Sequence, residues 1–103
     1  MRRITDQMIR ERDQWLALVS DLTGVEQQAI MGKSRVEGTA MARHLLCWAL
    51  HTLRGYSYPM VGIMLGRNPS TVTHSNNVIE YDFHSKQMRL VIDQLKQYNH
   101  EKS

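Results

Sequence analysis

Apolar positions fall at helical spacing along almost the whole chain. Met8, Trp15, Leu16, Val19 and Leu22 recur at helical spacing and predict a helix over about 5–21 with that face turned inward. Gly24 interrupts the pattern. A short helix over 25–31 follows, burying Val25, Ala29 and Ile30, and Gly32 ends it. The segment "GKSRVEG" has no apolar period and reads as a basic loop with a glycine at each end. Thr39 can cap the next helix, which runs to Arg54. Its stripe of Ala42, Leu45, Leu46, Ala49, Leu50 and Leu53 marks it as the central core helix, and Gly55 stands just past its end.

Two further helices sit close together. Ser57 can cap one that reaches Leu65, with Pro59 tolerated in the first turn and Val61, Met64 and Leu65 inward. Gly66 breaks it. Asn68 is a good N-cap and Pro69 a good first residue for a helix over 69–81, with Val72, Ser75, Val78 and Ile79 facing the core. A last helix over about 85–98 carries Met88, Val91, Ile92 and Leu95. No strand-like alternation is sustained anywhere. The expectation is an all-α, compact domain of five or six helices, with residues 1–103 as one domain.

Composition narrows the class. Hydrophobic residues make up 42% and charged residues 22%, so the 103-residue chain can build a modest core. The lone Cys47 cannot form an internal disulfide and is best read as a small buried residue. The charged start "MRRITDQMIRERDQ" lacks the apolar stretch of a signal peptide. The most apolar segment, "AMARHLLCWALHTL", is too short and polar to span a bilayer. A soluble, cytoplasmic protein without a membrane partner is expected. The formal charge is only +3, but it is unevenly placed. Residues 32–79 hold five basic side chains (Lys33, Arg35, Arg43, Arg54, Arg67) against the single acid Glu37, a local +4. Such a block fits a polyanion or, equally, a solvated basic face.

A short helix, a glycine turn and a second helix have the geometry of a helix-turn-helix, whose second helix meets DNA with its N-terminal residues. Here those residues are Asn68, Pro69, Ser70 and Thr71, with Thr73 behind them. Hydroxyl and amide groups can bond phosphates or base edges, and a helix start itself favours phosphate. Spacing of this kind is common, and it leaves DNA binding and plain packing both open.

The wider string "YSYPMVGIMLGRNPSTVTHS" resembles the signature of the C-terminal DNA-binding domain of the bacterial replication initiator DnaA, S-L-P-x-I-G-x-x-F-G-G-R-D-H-T-T-V-x-H-A. Ser57, Pro59, Gly62, Gly66, Arg67, Thr71, Val72 and His74 match outright. The likeness runs without gaps through the basic loop and the central helix, covering about 15–82. It implies that Arg35 enters the minor groove with Lys33 on the backbone beside it, where a narrow A·T-rich groove attracts a guanidinium. It also implies that Arg43 and His44 face the DNA, that Asn68, Pro69 and Ser70 read bases in the major groove, and that Thr71 lies against phosphate. Ser57 and Tyr58 open the helix that crosses the backbone. Arg67 belongs to the same set of DNA-binding positions.

Departures from the pattern limit what carries over. One glycine of the Gly-Gly pair is missing, so the turn is a residue shorter. The family's Asp and His are Asn68 and Pro69, which alters the groups offered to bases. Asn77 and Val78 stand where the family has basic residues, which lowers the electrostatic part of binding. No phosphate-binding "GxxxxGK" loop is present, so no nucleotide cofactor is expected and the chain reads as a free-standing DNA-reading module. His44 and His51 are seven residues apart, but there is no HExxH, second cysteine or carboxylate cluster. Neither enzyme activity nor a metal site is expected. His74 is expected to pack or hydrogen-bond within the motif rather than meet a base. The expected partner is double-stranded DNA, bound by a monomer acting in replication initiation or its regulation. The rival is a protein-interaction module that keeps the fold and modulates replication or transcription, with methionines such as Met41, Met60 and Met88 on an adaptable surface.

Overall fold

The computed structural model describes residues 4–102, and every described element is helical. The order is α1 (Asp6–Thr23), α2 (Gln27–Met31), α3 (Glu37–Trp48, continuing through a π-helical turn over Ala49–Leu53), α4 (Tyr58–Leu65), α5 (Pro69–Tyr81) and α6 (Lys86–Lys102). The all-α architecture read from the spacing is the one observed. α3 is the central element. It packs most heavily on α5 and also touches α1 and α2, while α4 lies on α5.

The core is the set of side chains that the helical period selects. Trp15, Val19, Ile30, Leu45, Leu46, Leu50, Val61, Val72 and Leu95 are fully buried. Removing each from water contributes roughly 1.5–3 kcal/mol before entropy is counted. Met8, Leu22, Val25, Leu53, Met88, Val91 and Ile92 are half-buried around this centre. Met31, Met41 and Met60 pack against it too, while Met64 is buried within it.

Several boundaries follow local chemistry. Thr5 lies just outside α1, and its hydroxyl accepts the Met8 N–H at 3.1 Å. Ser57 caps α4 by accepting the Met60 N–H at 3.2 Å, and Asn68 caps α5 by accepting the Ser70 N–H at 3.0 Å.

Two boundaries depart from the expected ones. α3 starts two residues before Thr39, at Glu37, with Val36 ahead of it and no side-chain cap. The Ala40 N–H bonds the Val36 carbonyl at 2.8 Å, and Glu37 supplies negative charge to the first turn. α6 runs beyond Tyr98 to Lys102. Gln97 donates to Glu101 one turn on, and Lys102 donates to Gln14 of α1, so the last turn is tied down.

Candidate nucleic-acid interface

The helix-turn-helix is α4, the turn at 66–68, and α5. Two glycines make the turn possible. Gly66 ends α4 in the left-handed region at φ 66°. Gly62 is buried where the chain doubles back, and a Cβ there would lie 2.5 Å from the Arg67 carbonyl oxygen. That approach lets the Arg67 N–H reach the Gly62 carbonyl at 2.7 Å. With one glycine fewer than the family pattern, the turn still closes, because Asn68 takes up the cap immediately.

At the start of α5, Asn68, Pro69, Ser70 and Thr71 are all exposed. Asn68 Oδ1 accepts from both the Ser70 N–H (3.0 Å) and the Ser70 hydroxyl (2.8 Å). The amide NH2 of Asn68 and the acceptor lone pairs of Ser70 therefore point outward unused. Thr73 donates its hydroxyl back to the Pro69 carbonyl at 3.0 Å, which removes that donor from the surface. No Lys or Arg occurs between Pro69 and Tyr81.

The basic loop presents Lys33 and Arg35 as exposed side chains. Beneath them lies a feature that the sequence did not disclose. Arg43, from α3, donates through Nε to the Ile30 carbonyl (2.7 Å), through one terminal nitrogen to the Ser34 carbonyl (3.0 Å) and through the other to that of Ala29 (3.1 Å). Arg67, from the turn, donates to the carbonyls of Met31 (3.1 Å) and Gly32. Most of these carbonyls belong to the C-terminal end of α2, where helix geometry leaves acceptors without partners and favours cations. Two guanidiniums from different elements thus tie the loop to the central helix and to the helix-turn-helix. Burial, and Arg67 beside it, push the Arg43 pKa down from its ordinary value.

His44 is half-buried where α3 meets α5. Its Nδ1 lies 2.7 Å from the hydroxyl of buried Ser75, and its ring meets that of His74 edge-on at 5.7 Å between centroids. Burial lowers its pKa, and the nearby His74 and Arg43 lower it further, so His44 is neutral at pH 7. His74 remains exposed and touches His44 of α3, so its ring contact lies outside the helix-turn-helix itself rather than within it. The same interface is bridged by Trp48 Nε1 to Glu80 (2.7 Å) and by the Thr52 hydroxyl to Asn76 (2.7 Å). Burial pushes the Cys47 thiol up to about 11, which leaves it protonated.

Of the expected interface residues, Lys33, Arg35, Ser57, Asn68, Pro69, Ser70 and Thr71 are exposed. Arg43, His44 and Arg67 are half-buried with their polar groups turned to protein partners. Arg54 lies elsewhere, paired with Glu11 of α1, so the +4 block is not one continuous patch. Among the described residues no group of three or more potential metal ligands comes together, and no helix is long and apolar enough to cross a membrane.

No curated relative matches the chain. The family described as the bacterial dnaA protein helix-turn-helix, a DNA-binding rather than catalytic domain, matches residues 13–79. That span is more than half of the chain and takes in α2, the basic loop, α3, the glycine turn and all but the end of α5, so the chain belongs to this family.

Proposed function

We infer that the protein binds double-stranded DNA with two reading elements, and that it acts in replication initiation or its regulation. The start of α5 at 68–71 enters the major groove, and the loop at 33–35 approaches the adjacent minor groove. Ser57, at the start of α4, lies against the backbone. The observation that carries this reading is the double arginine tie, because it links the two exposed polar elements through the same carbonyl-rich segment. Arg43, His44 and Arg67 act chiefly by positioning those elements.

The capping geometry sharpens the recognition. Asn68 offers a donor, which suits guanine O6 or N7, adenine N7 or thymine O4. Ser70, having donated to Asn68, offers an acceptor, which suits the amino group of adenine or cytosine. Pro69 adds an apolar contact suited to a thymine methyl. This set differs from the family's Asp-His-Thr, so the preferred site differs from the initiator's own.

A salt titration with duplex DNA tests the reading. Affinity should fall as salt rises, with a shallow slope because few phosphates are neutralised by exposed cations. No binding at low salt overturns it and favours the protein-interaction module. Selection from random duplexes should then return a defined motif.

A further inference from the structure

The start of α1, Arg54 just past the π-helical turn and the end of α6 enclose a polar cleft of about 230 Å³. Gln7, Arg10, Glu11, Gln14, Arg54 and Lys102 line it. Three cations from distant parts of the chain meet a single acid there, which leaves a net charge of +2.

The acid is already engaged. Glu11 is buried, and one carboxylate oxygen accepts from Arg54 Nε while the other accepts from the Tyr56 hydroxyl at 2.5 Å. Burial would raise its pKa, but those hydrogen bonds and the charges of Arg54 and Lys102 hold it below its ordinary value. Two of the cations are fixed in place. Arg54 also donates to Asn99 at 2.9 Å, and Lys102 donates to Gln14 Oε1 at 2.5 Å with its ammonium 5.6 Å from the Tyr98 ring centre. Arg10 forms no ion pair among the described residues, not even with Asp6 one turn earlier. What stays open is mainly donors: the Arg10 guanidinium, the second terminal nitrogen of Arg54, two N–H groups of Lys102 and the amide NH2 of Gln14. Like charges held together repel one another, and no second carboxylate lines the cleft to offset them.

We propose that this cleft binds a phosphate monoester, the terminal phosphate of a small ligand. Such a group carries roughly −1.5 to −2 charges at pH 7 and three strong acceptor oxygens, which matches a cleft of net +2 lined with donors. Two guanidiniums suit its oxygens, because each can present a pair of N–H groups. A phosphate of the DNA backbone carries only one negative charge, and so does a carboxylate, so both match less well.

Inorganic phosphate is the probe, titrated into the full chain at neutral pH and constant ionic strength while NMR follows the arginine side-chain signals. Those of Arg10 and Arg54 should move and saturate with a Kd of roughly 1 mM. That of Arg89, which lines a separate groove, should stay in place. Arg10→Gln and Lys102→Gln should each weaken binding about tenfold through loss of a charge-assisted bond. Arg89→Gln removes the same charge and should leave binding unchanged. Arg10 and Lys102 are exposed, and circular dichroism checks that both variants fold; should Lys102→Gln loosen the end of α6, Arg10→Gln decides. Dimethyl phosphate, a diester with one charge, should bind far more weakly than inorganic phosphate. Signals that drift together without saturating overturn the proposal, and so does equal weakening by Arg89→Gln. A diester that binds as well as inorganic phosphate also overturns it and gives the cleft to a nucleic-acid backbone.

Discussion

The two ends of the proposed interface are built in opposite ways. The start of α5 is organised locally: Gly66 turns the chain, Asn68 caps it, Pro69 sets the first helical residue, and Ser70 bonds back to Asn68, all within five residues. The loop at 33–35 contains little that could order it. Its backbone is held by Arg43 and Arg67, reaching from 9 and 35 residues away in sequence to Ser34 and Gly32. A locally built element keeps its shape when distant residues change. A remotely held one can lose its position while the rest of the domain stays folded. That difference predicts which substitutions unfold the protein and which only separate its two proposed reading elements.

The largest expected effect comes from the turn itself. Gly62→Ala adds a Cβ 2.5 Å from a backbone oxygen, which cannot rotate away as a side chain could. Overpacking costs about 1–3 kcal/mol and the rigid neighbour puts this site at the upper end, offset by roughly 1 kcal/mol of better helix propensity. Urea unfolding should show a net loss of about 2 kcal/mol, with DNA binding impaired as well. Unchanged stability would mean that the turn opens without cost, and that α5 is less firmly placed than its bonds suggest.

Arg43→Met and Arg67→Met test the remote tie while keeping an apolar stem. Each should weaken DNA binding about tenfold, roughly 1.4 kcal/mol. The helix-turn-helix should remain folded by circular dichroism. Because both arginines hold one loop, the double variant should lose less than the sum of the single losses. Arg35→Ala on top of it should then add little, since the loop no longer presents that side chain. Additive losses throughout would instead mean that Arg43 and Arg67 touch DNA independently.

Asn68 probes the local side of the contrast. Asn68→Ala removes the cap and should cost about 1 kcal/mol of stability. Asn68→Asp keeps the cap and places a carboxylate at the helix start, so stability should hold. Base preference at that position should move toward cytosine, whose N4 donates to a carboxylate. If selection from random duplexes returns the same sites for Asn68→Asp as for the wild type, the side chain lies away from the bases.

What the sequence revealed follows the same division. The caps at Ser57 and Asn68, the break at Gly66 and the buried stripe of α3 are legible, because their causes lie within one or two turns. The hydrogen bonds that Arg43, Arg67 and His44 make to other parts of the chain are not. A guanidinium bound to carbonyls and one bound to phosphate are the same letter, and only the packing of α2 on α3 tells them apart. The start of α3 escapes the reading for a related reason. Thr39 is the stronger local signal, yet the first turn forms at Glu37 and Gly38 without any side-chain cap. The extra turn of α6 depends on Gln14, 88 residues earlier.

The smallest expected effect concerns the seam that joins the two halves. His44 is held neutral there. Burial is the first cause of its lowered pKa, and the charge interactions with His74 and Arg43 add to it against an opposing pull from Asp82. A histidine with a lowered folded pKa binds more protons when unfolded, so its contribution to stability is complete above an unfolded pKa of about 6.5 and declines as pH falls below it. Glu11 acts lower in pH. Burial would raise it, but hydrogen bonds from Tyr56 and Arg54 outweigh that and leave it below its ordinary value, so its contribution declines only under about pH 4.5. The two windows are separable in a pH series of urea melts. His44→Gln keeps a group able to bond Ser75 and carries no titrating proton, so it should flatten the limb just below an unfolded pKa of about 6.5 and leave the acid limb unchanged. A limb that persists in His44→Gln would assign the titration to another histidine, and the contact between α3 and α5 would then be insensitive to protonation.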